Sequence, residues 1–314
     1  MPQPSNRLDA GERVFFDTQL VAIDKRTYLQ KYPEFKSRRL IPTIPDIPSW
    51  ARGHRWTATT EVGKARLAAS NATDVPVVDV NSTKNESLIH KYWLSYKYDD
   101  DEIRAAIATG IPLDAARAMA CRRGVEQIVD EVLATGDAAV GSLGLFNQTG
   151  GTTVVASTKA ASGLKPWGTL AAPIATGKEV ANDIMALAAG VASAMKDVSA
   201  KLTLLMPIDN YLYAAGTAYG NASDVSALKF AMSTMSDIID GVESWWRCST
   251  AGDGGGTVML AYPRDENVLG GIVNQEYMVD APIRGIQCEQ RVGWMKCGGV
   301  IARYPYAIGK MHGI

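Results

Sequence analysis

Residues 112–136, PLDAARAMACRRGVEQIVDEVLATG, constrain the chain most, because their ends and their period together specify one long helix. Pro112 suits the first helical position, where a missing N–H costs nothing. Asp114 puts an anion at the positive end of the helix dipole. Gly136 stands just past the last apolar residue, as a left-handed C-terminal stop does. Ala116, Ala120, Gly124 and Ile128 recur every four residues, and Leu113 and Val132 extend the row. The row predicts a small apolar face that a second layer can approach closely. Arg117, Arg122, Arg123, Glu126 and Asp130 fall largely off that row. The helix is expected to be the spine on which the rest of the chain packs.

Upstream, residues 1–13 read as a loose polar arm and residues 14–29 as a helix. SRRLIPTIPDIPSW follows, with Pro42, Pro45 and Pro48 at three-residue spacing. That spacing forces an extended path and reads as a stiff connector, ahead of a ligand for a proline-recognition domain. HRWTATTEVGKARLAAS and the returning ATDVPVVDVN predict a long two-stranded ribbon over residues 50–80. An isolated hairpin is marginal in water. This one has too few large apolar residues for a core of its own, so it is expected to need another surface to lie on. That is a first sign of assembly.

Residues 88–98 read as an aromatic strand. The acids Asp99, Asp100, Asp101 and Glu102 then open a short helix ending at Gly110. They lack the alternate spacing and the glycine of a calcium loop. Residues 138–177 hold only Lys159 and Lys165 as charges, so this irregular segment is expected to pack against something. Thr176 and Glu179 form a capping box. The helix they open carries Val180, Ile184, Leu187, Val191, Met195 and Val198 on one face. LTLLMP predicts a buried strand, Pro207 a short helix, and Ser223 or Asp224 the cap of another that runs to Met235. Short strands close the chain: TVMLAY, VLGGIV, RGIQCEQRVG and GGVIARYP. Strands and helices alternate without a βαβ rhythm, which points to the α+β class.

The chain has a net charge of −1, which excludes a dedicated nucleic-acid binder. Its charge is uneven, with 12 Lys/Arg against 7 Asp/Glu in residues 1–70 and 20 against 26 in the remainder. Such asymmetry suits a basic arm on an acidic surface. Cys121, Cys248, Cys288 and Cys297 form no CxxC pair and read as reduced thiols. The start has no apolar core of a signal peptide and no stretch has membrane-spanning length, so a soluble, cytoplasmically made protein is expected. His54, His90 and His312 stand far apart and in no ligand pattern. No nucleophile elbow, P-loop or dinucleotide fingerprint occurs, and GDGGG at 252–256 reads as a plain loop. Trp245 and Trp246 suit packing better than a sugar platform. These observations do not support an enzyme, and no catalytic, cofactor-binding or metal residue is assigned.

An ordered set of motifs is similar to the major capsid proteins of tailed bacteriophages, with the Hong Kong type of shell fold. It comprises RRLIPT at 38–43, DVPVVDVN at the ribbon's end, YDDDEIRAA at 98–106 and the spine. SLGLFN at 142–147 and CGGVIARYPYAI at 297–308 complete it. The resemblance covers residues 17–314. It implies an N-terminal arm (1–47), an extended E-loop (48–80), a peripheral domain (81–140 and 280–314) and an axial domain (141–279). It also implies a structural role in an icosahedral virion shell of hexamers and pentamers around double-stranded DNA. Portal, scaffolding and decoration proteins would be partners; with no acidic helical segment before the arm, the scaffold is expected to be a separate protein, or none is used. Phage shells assemble in the host cytoplasm, with no membrane involved. An encapsulin-type compartment is the alternative within the fold, and a carbohydrate-binding or hydrolytic enzyme the alternative outside it.

The candidate inter-subunit contacts are Arg52, Arg55, Lys64 and Arg66. They give the outgoing limb four positive charges against Glu61 alone. They are expected to lie over acids of the next subunit, among them Asp99, Asp100, Asp101, Glu102, Asp114, Glu126, Asp130 and Glu131. In some relatives an E-loop lysine bonds covalently to a neighbour's asparagine. Lys64 is the only lysine between Lys36 and Lys84, and nothing marks a partner for it, so no cross-link is expected. DNA contact is expected to be weak and non-specific, through the basic arm.

Overall fold

The computed structural model describes residues 32–65, 67, 77–109, 115–220 and 224–314. Phe35–Ile314 forms one unit and Met1–Glu34 another. The helix expected at 14–29 lies outside the described residues, as do Arg66, Gly110, Pro112, Asp114 and Ser223.

A single turn, α1 (Ser37–Leu40), opens the second unit. Pro42 denies Ile41 the helical conformation, and Ile41 is extended. The chain then runs non-helically but is extended only through Ile44. At Pro45 and Pro48 it turns, with Ile47 N–H donating to Pro45 O at 3.1 Å and Ala51 N–H to Pro48 O at 3.0 Å, so the stiff extended connector expected from the proline spacing is not formed. Thr43 bridges Gly271 in parallel, with the Ile44 N–H donating to Gly271 O at 3.0 Å. The ribbon follows as β1 (Gly53–Val62) and β2 (Asp79–Leu88), antiparallel, with Gly53 opposite Leu88 and Val62 opposite Asp79. Its returning strand starts later than expected and runs past residue 80 to Leu88.

β3 (His90–Asp99) leads into α2 (Asp100–Thr109) and the spine, α3 (Ala115–Thr135). Two short strands, β4 (Gly136–Asp137) and β5 (Ser142–Leu143), close its end. Next come β6 (Thr152–Val155), α4 (Gly177–Met195), β7 (Leu202–Met206), α5 (Ile208–Gly216) and α6 (Ala227–Thr234). The chain ends with β8 (Ile239–Ser244), β9 (Val258–Pro263), β10 (Leu269–Val279), β11 (Ile283–Arg284), β12 (Cys288–Ala302) and β13 (Gly309–His312). The class is α+β, as expected.

Two larger sheets organise these elements. In the first, β12 pairs antiparallel with β3, β10 and β11. The second is mixed, in the order β6–β13–β9–β7–β8. Strand pairing crosses the limits drawn from the sequence, since β10 joins β12 of the first sheet and β13 joins β9 of the second. β7 is the hinge of the packing. Alternate residues of a strand face opposite ways. Leu202, Leu204 and Met206 enter one core with Val180, Ile184, Leu187 and Val191 of α4. Leu205, with Leu260 and Tyr262 of β9, enters a second with Val125, Val129, Leu133 and Trp245. LTLLM is apolar on both faces because both faces are covered.

The spine buries a face other than the expected one. Cys121, Val125, Val129, Val132 and Leu133 are buried, whereas Ala116, Ala120 and Ile128 are exposed. Stabilisation scales with apolar area removed from water, so valines and a leucine outrank a row of alanines. Of the expected row, Val132 is buried and Gly124 keeps the close approach, because a Cβ there would stand 2.8 Å from Leu94 of β3. α4 has the predicted capping box, with Glu179 N–H donating to Thr176 Oγ1 and Thr176 N–H to Glu179 Oε2. It ends earlier than expected. Lys196 is left-handed at φ 56°, and Val198 lies beyond the helix, exposed. α6 is capped by Ser226, whose Oγ accepts from Lys229 N–H, and not by Asp224.

Candidate inter-subunit surface

SLGLFN completes the spine. The last carbonyls of a helix have no partner within it. Here Leu145 N–H donates to Leu133 O and Phe146 N–H to Ala134 O, both at 2.9 Å, and Asn147 Nδ2 donates to Thr135 O. Gly136 has φ +78° and turns the chain, as its position predicts, and a Cβ on Gly144 would overlap the Gly136 nitrogen. The two glycines and the asparagine of this stretch are therefore the parts of one helix stop. It fixes the path by which the chain leaves the spine and returns under the ribbon's root.

The ribbon is anchored only at that root. His54, Trp56, Asn85 and Ser87 are half-buried, and the strands beyond Trp56 and Asn85 are exposed on both faces. Trp56 packs against a small core of Ile44, Ala51, Ile89, Ile272 and Ile301. A cleft of about 520 Å³ lies there, between Trp56 and Leu88 of the ribbon and Leu143, Ile301 and Arg303. Burial, then the charge of Arg303, hold the His54 imidazole below its ordinary range.

The structure separates the candidate contacts. Arg52 is exposed and has no ion pair among the described residues. Arg55 is already paired across the ribbon, its Nη2 lying 2.6 Å from Oε2 of Glu86, the residue directly opposite. Lys64 is exposed near the outer end, and Arg66 lies outside the described residues. With the return strand running to Leu88, residues 52–88 hold five Lys/Arg against four Asp/Glu. The expected excess of four to one belonged to one limb only.

The expected acids divide in the same way. Asp130 is buried, accepting from Ser37 N–H at 3.0 Å and Arg247 Nε at 2.7 Å. It anchors α1 and the chain after β8 to the spine and offers nothing to a neighbour. Glu126 pairs with Arg122, and Glu102 with Arg117. The Arg117 hydrogen bond, foremost, and that from the Asp99 N–H lower the Glu102 pKa. Asp99 and Asp100 have no ion pair among the described residues, and Asp101 has only Arg104, one turn on, at 3.7 Å.

The remaining chemistry-bearing residues serve packing. Trp245 is wholly buried and stacks on Phe146 with centroids 5.2 Å apart, so it has no face for a sugar. Cys121, Cys248 and Cys297 are buried; burial pushes Cys297 up to about 11 and Cys248 higher still. His312 Nδ1 accepts from Asp253 N–H at 3.2 Å and steadies the 252–256 loop. Among the described residues no helix is long and apolar enough to cross a membrane.

Residues 63–314 match the family model described as major capsid protein. No functionally curated protein matches the sequence. Among solved structures, the chain is similar to the capsid of Myoviridae phage XM1, with a TM-score of 0.78 at 14% identity, over 95% of this chain and 98% of that one. Mycobacterium phage Adephagia gives 0.58 at 13%, over 97% of each chain. The virus-like particle from Pyrococcus furiosus gives 0.54 at 14%, over 87% and 90%. The fold is thus the phage-capsid fold of the Hong Kong type, and the protein is structural, without enzymatic activity: the chain belongs to the major capsid protein family.

Proposed function

We propose that this capsid protein assembles with itself, as hexamers and pentamers, into a closed icosahedral shell around double-stranded DNA. The supporting observation is the ribbon, which has the pairing of a finished hairpin and, past Trp56 and Asn85, the burial of an unfinished interface. In this reading the E-loop spans residues 48–88. The sheet of β3, β10, β11 and β12 with the spine is the peripheral domain. The five-stranded sheet with α4, α5 and α6 is the axial domain. Residues 1–47 form the arm. Its phosphate contacts with DNA are non-specific, and binding falls as salt rises. Assembly takes place in the host cytoplasm, with a separate scaffolding protein, a portal and decoration proteins as partners. Subunits join without covalent links, Lys64 remaining a free amine.

Negative-stain microscopy of the purified chain, alone and with its scaffold, tests this. Closed shells that dissolve to a single subunit band on a denaturing gel are expected. A stable monomer at every salt and scaffold condition overturns the assembly, and a ladder of multimers overturns the non-covalent joining.

A further inference from the structure

The sheet built on β12 carries opposite charges at its two ends. At the ribbon's root, a pocket of about 450 Å³ is lined by Arg52, His90, Lys91 and Lys296 over Ala51 and Trp294. Lys296 Nζ donates to Ser49 O at 2.7 Å, and Lys91 Nζ stands 4.0 Å over the Trp294 ring. One carboxylate approaches, Asp280, whose Oδ2 lies 3.9 Å from Lys91 Nζ. Three cations thus share one anion, and Arg52 has no ion pair among the described residues. The Nε2 of His90 is buried without a hydrogen-bond partner. Beside the pocket, Trp50 is 79% exposed.

At the far end of β3 the pattern is inverted. Asp99, Asp100 and Asp101, with Arg104 beside Asp101, line a shallow cleft at a tip that includes Ile286, which is 99% exposed. The tip is built, since Asp100 N–H donates to Gln287 O at 3.0 Å and ties the acidic turn to the loop before β12. β3 is ten residues long, so tip and pocket lie about 30 Å apart along it. No copy can satisfy its own pocket with its own tip. A head-to-tail contact between copies can, and a contact of that kind gives a ring where its rotation closes.

We propose that the acidic tip of one copy docks in the basic pocket of the next, Asp99 and Asp100 facing Arg52 and Lys296 while Ile286 covers Trp50. This rests on the self-assembly reading. The contact pairs an apolar centre with charges that set its register, and charge complementarity of this kind acts mainly on association rate and on choice of partner.

Two variants test it, each checked for native circular dichroism: Arg52→Glu with Lys296→Glu, which turns the pocket from positive to negative, and Asp99→Lys with Asp100→Lys, which inverts the tip. Each alone should slow shell formation at low salt by about tenfold or more, because like charges then face each other. An equal mixture of the two should recover the rate, since contacts between unlike chains are then either native or doubly inverted. Recovery by mixing identifies a second copy of this chain; any other acidic occupant of the pocket would leave the mixture as slow as its components. Normal assembly of either variant alone, or a mixture no faster than its components, overturns the contact. Failure of the unmodified chain to assemble overturns the self-assembly reading instead. The contact is then decided by sedimentation of the mixed variants, where absence of a mixed dimer overturns it as well.

Discussion

Lys159 and Asp183 are oppositely charged residues that both lie out of reach of water. Asp183 accepts from Lys159 Nζ, from Trp167 Nε1 at 2.9 Å, and from Ser157 N–H at 3.0 Å and its hydroxyl at 2.5 Å. Lys159 Nζ also donates to Ser157 O at 3.0 Å. The carboxylate thereby nails the uncharged segment before α4 to the helix itself. A buried pair adds little over apolar residues of the same shape, but losing one partner strands the other. Asp183→Ala should therefore destabilise the unassembled chain by about 3–5 kcal/mol. Lys159→Met combined with Asp183→Leu should cost less than Asp183→Ala alone. Urea midpoints followed by near-ultraviolet circular dichroism check both. Equal losses for the double and the single variant would mean that packing volume, not stranded charge, governs the site. Lys159 was visible in the sequence only as a rare charge in a neutral stretch. Its partner lies 24 residues away on a helix face, and no local pattern encodes that meeting.

At the scale of elements, legibility follows the range of the physics. The capping box of α4 is an interaction over three residues, and Thr176 and Glu179 form it as the sequence predicts. The buried strand β7 is equally local, because five successive apolar residues must be covered on both faces. The spine's stop was half legible. Gly136 marks it, but the donors that complete it come from Leu145, Phe146 and Asn147 after a reversal of the chain. The buried face of the spine was misread, because a regular row of small residues competed with valines one position away. Thr176→Ala tests the local part. It should cost about 1 kcal/mol, the usual worth of such a cap. Glu179 adds a pH dependence. The backbone hydrogen bonds from Thr176, first, and from Ala160 hold its carboxyl below the ordinary 4.5. The unfolded chain therefore takes up a proton on Glu179 before the folded chain does. The contribution of Glu179 is complete above pH 4.5 and is lost as pH falls through the lowered folded value. Glu179→Gln should flatten the stability curve of the unassembled chain in that acid window and leave its slope near neutrality unchanged. An unaltered acid slope would contradict the assignment.

Across the whole molecule, the order of motifs revealed the fold class, while the partition of the strands needed the structure. β13 pairs with β6 and β9, strands far from it in sequence, and hydrophobic pattern alone does not choose between two sheets that both bury their strands. The ribbon was legible for the opposite reason: its strands alternate without apolar mass, so the sequence already shows that no core awaits it. The strands beyond Trp56 and Asn85 are exposed on both faces. Removing them should leave the stability of the single chain nearly untouched and abolish the shell. Trp56 and Asn85 stand opposite each other, so a two-residue Asn-Gly turn can join them and keep the root register. The shortened chain should unfold within about 1 kcal/mol of the full chain, as surface changes away from packed groups do. In sedimentation it should remain a monomer or small oligomer under conditions where the full chain forms shells. Shells of normal size from the shortened chain would mean that the ribbon is an ornament of the fold and that assembly rests on the sheets alone.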